Sequence, residues 1–249
     1  MITEMLGFRP AVPRRFSLLA ALALLAAILT SLPAGASVNS ATAQTPSKLV
    51  ILGASYAKSW GTPPLPGYRV VNRGVGGEQT KGMRARFPKD VVAVRPDVVL
   101  IWGHINNITQ SNVANATAGQ AEAVKKAARE DYLVMLQQAR AAGIDVILAT
   151  EIPLAESAGI MNEAKALLGR LLGKQSYAER VNLQVRDLNA FVRQLAARQG
   201  LRLLDFETVF APEGGARKPA FATEDRSHVT AAGYEALTAY AVRELHKKR

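Results

Sequence analysis

Five short apolar runs punctuate the chain: Lys48 to Gly53 (KLVILG), Tyr68 to Asn72 (YRVVN), Asp97 to Gly103 (DVVLIWG), Ile144 to Thr150 (IDVILAT) and Leu201 to Asp205 (LRLLD). A brief run that is apolar without alternation reads as a strand buried on both faces. Between these runs, residues 78–94, 118–142, 179–199 and 230–247 carry apolar side chains at three- and four-residue spacing, which predicts amphipathic helices. Gly143 and Gly200 stand where helix C-caps belong. Strand and helix therefore alternate with short connections, which predicts a parallel sheet with helices on both faces and a ligand site beyond the carboxyl ends of the strands. Residues 153–177 break the alternation directly after the fourth strand. They are expected as a helical insertion forming a substrate wall or lid, the alternative being an ordinary helical excursion.

The first forty residues follow a different logic. Arg9, Arg14 and Arg15 precede Phe16 to Leu32, a stretch without charge, and two small-residue sites follow at Ala34-Gly35-Ala36 and Ala41-Thr42-Ala43. That order is the pattern of an export signal, so residues 1–43 are read as signal peptide and linker and 44–249 as a single catalytic domain. Cleavage would leave a periplasmic or extracellular protein; an uncleaved helix would anchor it, since the apolar run approaches the roughly 20 residues that span a bilayer. The formal charge of +11 falls to +9 once Glu4 and three Arg are removed. The remaining basic residues are dispersed apart from the tail His246-Lys247-Lys248-Arg249, and no nucleic-acid motif accompanies them. They are read as a solvated basic surface suited to peripheral contact with an anionic envelope, with no nucleic-acid partner. The chain has no cysteine, which excludes a thiolate nucleophile, a Cys-ligated metal, a disulfide framework and a lipidated Cys.

Four polar clusters fall at predicted strand ends or loops. Gly53-Ala54-Ser55 places a hydroxyl at a helix start, although Ser is also a common N-cap. Asn72 to Thr80 (NRGVGGEQT) is glycine-rich, but it lacks a Walker Lys-Ser/Thr ending and the acidic partner of a dinucleotide fold. Gly103 to Asn107 (GHINN) ends the third strand with two amides able to face an oxyanion, a position also common for plain turn residues. Asp225-Arg226-Ser227-His228 precedes a helix capped by Thr230. A carboxylate three residues before a His can curl back to Nδ1 and leave Nε2 to accept a proton. Only three histidines exist; with His104 in the third cluster and His246 in the basic tail, His228 is the natural base. No His pair lies at ligand spacing, so neither a metal nor a cofactor is expected.

Taken in order, the clusters resemble the blocks of the SGNH/GDSL hydrolase superfamily over essentially residues 48–245. Gly53-Ala54-Ser55 resembles its G-D-S block, Asn72 to Gly77 its N-x-G-x-x-G block, Gly103 to Asn107 its G-x-N-D block, and Asp225 to His228 its D-x-x-H block. The resemblance implies a flavodoxin-like α/β three-layer sandwich around a mainly five-stranded parallel sheet. It also implies a serine hydrolase in which Ser55 is the nucleophile, His228 the general base, and Asp225 the residue that orients it. The oxyanion hole would comprise the backbone N–H of Ser55, that of Gly77, and the side-chain amide of Asn106, chosen over Asn107 because Ile105-Asn106-Asn107-Ile108 aligns with the family's I-N-D-I form. The implied substrates are small esters, lipids or acylated saccharides. Two positions depart from the pattern: Ala54 and Asn107 stand where the family has Asp. Loss of hydrolysis through these changes would leave an envelope binding protein, and exclusion of water would make an O-acyltransferase to a sugar.

Overall fold

A computed structural model describes residues 45–156, 168, 171–211 and 217–247. They belong to one compact unit, Gln44–Arg249. The expected signal peptide and linker, residues 157–167 of the expected insertion, and the positions between the described stretches lie outside this set.

All five predicted strands form: β1 (Ser47–Gly53), β2 (Tyr68–Gly74), β3 (Val98–Trp102), β4 (Asp145–Ala149) and β5 (Arg202–Leu204). They pair in parallel in the order β2-β1-β3-β4-β5, the flavodoxin-like arrangement. The apolar runs are continuous because both faces are covered. Leu49, Ile51, Leu100, Trp102 and Ile147 enter one core, whereas Val50, Leu52, Val99, Ile101 and Leu148 enter the other.

The described helices are α1 (Ser55–Trp60), α2 (Thr80–Asp90), α3 (Ile105–Gln110), α4 (Ala118–Ala141), α5 (Tyr177–Gln199), α6 (Phe206–Phe210) and α7 (Ala231–His246). Met83 and Phe87 of α2 and Tyr132, Met135 and Leu136 of α4 close one face of the sheet. Tyr56 and Trp60 of α1, Phe206 and Phe210 of α6 and Leu237 and Ala241 of α7 pack on the other. Helix α5 serves both cores, with Val181, Val185 and Leu188 in one and Val192 and Leu195 in the other.

Two helix boundaries differ from the periodicity. The segment 78–94 forms α2 only to Asp90, followed by a 3-10 turn at Val92–Val94 and a left-handed Arg95. Pro88 gives up one helical donor near the end of α2, and Pro96 disfavours helical geometry at Arg95. Helix α5 starts at Tyr177 rather than 179, because Ser176 and Glu179 form a reciprocal capping box. Gly200 is the left-handed C-cap of α5, and Gly143 adopts a positive φ just past α4. In the 153–177 stretch, the described residues up to Glu156 have no regular structure, and a helical hydrogen bond runs from Leu172 N to Leu168 O.

Strand register determines where the site lies. Gly53 is level with Gly74 on β2 and with Trp102 on β3, so the chain leaves three adjacent strands at the same height. Helix α1 then sits tightly on the β2 end. A Cβ at Gly74 would come within 2.2 Å of Lys58 N, so only glycine fits there.

Candidate active site

Ser55 follows that strand end as the first residue of α1, after a buried Ala54. Its backbone N–H, at the first helical position, has no acceptor four residues back within the helix. Asn72 ties α1 to β2: its amide donates to Ala57 O at 2.6 Å and to Gly61 O, and its Oδ1 accepts from Gly74 N at 2.7 Å.

Beyond β2 the chain turns through Gly76 and Gly77. Val75 N donates to Gly53 O at 2.9 Å, and Gly77 adopts φ 74°, a left-handed conformation that favours glycine. This turn is knitted to α3. Asn106 Nδ2 donates to Glu78 O at 3.0 Å, and Gln110 Nε2 donates to Gly77 O at 2.5 Å. The two neighbouring amides of α3 have different surroundings. Asn106 lines a cleft, whereas Asn107 is buried, donating to Thr80 Oγ1 at 2.9 Å and accepting from Thr80 N at 3.1 Å. Asp131 on α4 completes that buried chain by accepting from Thr80 Oγ1 at 2.7 Å.

The fourth cluster forms a tight loop before α7. Arg226 N donates to Thr223 O at 2.8 Å, Arg226 takes φ 60°, and an isolated antiparallel bridge joins Ala222 to Val229. One oxygen of Asp225 accepts from Thr223 Oγ1 at 2.8 Å and from the N–H groups of Ser227 and His228, each at 2.9 Å. The other oxygen lies 2.5 Å from His228 Nδ1. The His228 backbone N–H, followed by its ring and the Thr223 and Ser227 donors, holds the Asp225 carboxyl well below the usual carboxylate range. An ionised Asp225 facing Nδ1 favours the tautomer with Nδ1 protonated, leaving Nε2 as the acceptor. Ser227 Oγ also approaches Nδ1, at 3.3 Å.

Ser55, Gly76, Gly77, Asn106, Asp225 and His228 all line one cleft of about 940 Å³. Ile105, Thr109, Leu154, Ala155 and Tyr177 add to its lining. Four motifs far apart in sequence thus meet at the carboxyl ends of β1, β2 and β3. His104 does not join them: it is buried beside Tyr132 Oη, 3.2 Å from Nδ1, and burial lowers its pKa to about 4. Among the described residues no group of His, Asp or Glu has the arrangement of a metal site.

Three participants were not singled out from sequence. Glu151, two residues past β4, is 1% exposed and accepts the N–H of His104 at 2.8 Å at the start of α3; burial raises its pKa to about 7. The strand-end rule that located the other clusters points to it equally. Tyr56, next to Ser55, is buried, which raises its pKa to about 12, and its hydroxyl donates to Ser227 O at 2.6 Å. Arg217 reaches the same loop from a stretch without any motif.

Comparison with known proteins then decides the family, because the model of the GDSL-like lipase/acylhydrolase family matches residues 31–236. The chain belongs to that family. Membership supports hydrolysis of esters as the general activity. Among solved structures, an acylhydrolase from Bacteroides fragilis, named as putative, superposes with a TM-score of 0.59 at 22% identity, covering 82% of this chain and 90% of the other. A catalytic mutant of an acetylxylan esterase from Geobacillus stearothermophilus superposes with a TM-score of 0.58 at 18% identity, covering 82% and 96%. Both likenesses concern the fold. In sequence, the uncharacterized lipoprotein YqeF of Bacillus subtilis is 32% identical over 90 residues, which is 36% of this chain and 35% of that protein. The match thus spans about a third of that relative's length.

Proposed function

We propose that this protein is an exported serine esterase that cleaves carboxylic esters through an acyl-enzyme, with Ser55 as nucleophile, His228 as general base and Asp225 orienting the base. The observation that carries the reading is the shared cleft, in which a helix-start hydroxyl, an imidazole tied to an ionised carboxylate, and three candidate donors converge. In the first step, Ser55 Oγ attacks the acyl carbon as His228 Nε2 takes the hydroxyl proton. The resulting oxyanion accepts hydrogen bonds from the N–H groups of Ser55 and Gly77 and from Asn106 Nδ2, whose other hydrogen goes to Glu78 O. Each such donor contributes roughly 3 kcal/mol to the transition state. His228 then returns its proton to the leaving alcohol, and water, activated in the same way, releases the acid and restores Ser55.

The side chains of Asp225 and His228 are each 52% exposed, which favours hydrolysis over transfer to a sugar, since a base open to solvent can activate water. The cleft exceeds what an acetyl group needs, and its lining combines Ile105, Leu154 and Ala155 with Lys174, Gln175 and Arg226. Both a lysophospholipid-like ester and an acylated saccharide fit this mixture, and the acetylxylan esterase likeness adds weight to the second. Export rests on the Arg-led apolar segment Phe16 to Leu32, and the lipoprotein name of the Bacillus relative agrees with an envelope setting. Among the described residues no helix is long and apolar enough to cross a membrane.

Turnover of p-nitrophenyl acetate, p-nitrophenyl decanoate, acetylated xylo-oligosaccharides and lysophosphatidylcholine tests the activity and ranks the substrates. Ester hydrolysis that drops by about 10³-fold or more in Ser55→Ala is expected. A folded wild-type protein inert toward all four contradicts the reading.

A further inference from the structure

A guanidinium withdrawn from water needs all its hydrogens met, and without a directly paired carboxylate it remains costly to bury. Arg217 is in that position. It is 2% exposed, and among the described residues its acceptors are three backbone carbonyls and a phenol, with no carboxylate directly paired to it. Nε donates to Pro153 O at 2.6 Å, Nη1 to Ser227 O at 3.1 Å and His228 O at 2.8 Å, and Nη2 to Tyr56 Oη at 2.6 Å. Tyr56 in turn donates to Ser227 O, and its ring lies 5.5 Å from the guanidinium carbon. Buried Glu151, whose pKa burial raises to about 7, interacts with Arg217 only at longer range.

These acceptors belong to three separate segments that meet at the cleft. Pro153 leads into the wall formed by Leu154 and Ala155, Ser227 and His228 belong to the base loop, and Tyr56 is the residue after Ser55 on α1. A planar fork with five donors can hold three segments at fixed angles, which a single ammonium or a neutral side chain cannot. The base loop needs such support: the His228 side chain is half exposed, and the loop passes through a left-handed Arg226.

We propose that Arg217, acting with Tyr56, is the positioning residue of this active site, fixing the backbone of Ser227 and His228 relative to Ser55. It holds both sides of the proton transfer while touching neither substrate nor the reacting atoms. The inference rests on the serine-esterase reading above. A residue that only staples the core would lower the amount of folded protein without altering the turnover of each folded molecule. A positioning residue lowers kcat at nearly constant KM, since a displacement near 1 Å between nucleophile and base costs about a hundredfold.

The test compares full-length wild type with Arg217→Ala, Arg217→Lys and Tyr56→Phe, each normalised to Ser55 titrated by a fluorophosphonate probe and checked for thermal unfolding. Arg217→Ala is expected to lose about a hundredfold in kcat with KM changed less than about threefold. Guanidinium ion added at tens of millimolar is expected to restore part of that loss by filling the vacated site, and Arg217→Lys to retain an intermediate kcat. Tyr56→Phe, which keeps the ring but removes the bridge to Ser227, is expected to lose about tenfold in kcat. A folded Arg217→Ala with wild-type kcat overturns the proposal. Should Arg217→Ala not fold, Tyr56→Phe decides, and wild-type kcat there overturns it equally. A wild-type protein that neither labels at Ser55 nor turns over esters removes the esterase reading and the positioning role with it. An active wild type beside an unaffected variant removes only the positioning role.

Discussion

Asn107 stands where the family carries Asp, and its surroundings explain how the change is accommodated. Thr80 has one hydroxyl hydrogen and gives it to Asp131 Oδ2 at 2.7 Å, so its oxygen is free to accept from Asn107 Nδ2. A carboxylate at 107 would compete with Asp131, itself paired with Arg84 at 3.0 Å, for that single hydrogen in a buried site. Asn107→Asp is therefore expected to destabilise the fold by about 2 kcal/mol near neutral pH, with the loss shrinking in acid as the new carboxyl protonates. Urea unfolding at two pH values checks this, and an unchanged midpoint would remove the argument. The same buried amide separates the roles of the neighbouring asparagines, since Asn107 is occupied within the fold and Asn106 lines the cleft. Sequence alone offered the choice between them only through alignment with a motif, because the partner that occupies Asn107, Thr80, lies on another helix 27 residues earlier in the chain. Ala54 is simply buried, and nothing in its surroundings explains why Asp is absent there.

At the level of elements, the site depends on how closely α1 approaches the sheet. Adding one methyl at Gly74 would force it against the Lys58 backbone, with no flexible side chain to give way. Gly74→Ala is expected to cost about 1–3 kcal/mol of stability and to reduce kcat as well, because α1 carries Ser55. Denaturant midpoints and steady-state kinetics report the two effects separately, and a variant with wild-type values for both would contradict the packing account. Strands and the long helices were legible because burial on two faces and helical periodicity leave plain marks, as in KLVILG and in residues 118–142. Their ends were less so. Helix α2 stops at Asp90 and gives way to a 3-10 turn ahead of Pro96, and α5 begins at a capping box that the apolar periodicity does not register. Three of the four polar clusters were legible because each follows a strand end, and the fourth because a carboxylate stands three residues before a His ahead of a capped helix, whereas Arg217 arrives from a segment with no motif and no periodic pattern and reveals itself only in three dimensions.

Across the whole molecule, two buried ionisable groups beneath the cleft act on stability in opposite directions. His104, with a pKa lowered to about 4 by burial, stays neutral in the folded state while the unfolded chain takes up a proton below about 6.5, so its contribution is lost as pH falls from there toward 4. Glu151, raised to about 7 by burial, contributes most at low pH, and that stability is lost as pH rises from its ordinary value near 4.5 through 7. Each is worth on the order of 3 kcal/mol, and the two largely offset one another between about pH 4.5 and 6.5. Glu151→Gln removes one side of that balance. Its stability relative to wild type is expected to be higher at pH 8 than at pH 5, and parallel stability curves for the two proteins would refute this. The chemistry of the cleft rests on a different group, the hydroxyl of Ser55. The most direct measurement is peptide mapping of the full-length protein after reaction with a fluorophosphonate. A single adduct on Ser55, absent in Ser55→Ala and formed far more slowly when His228 is replaced by Ala, is the result expected of an activated nucleophile. A folded protein that forms no adduct, or forms it on another residue, would contradict the assignment of this cleft as a serine esterase site.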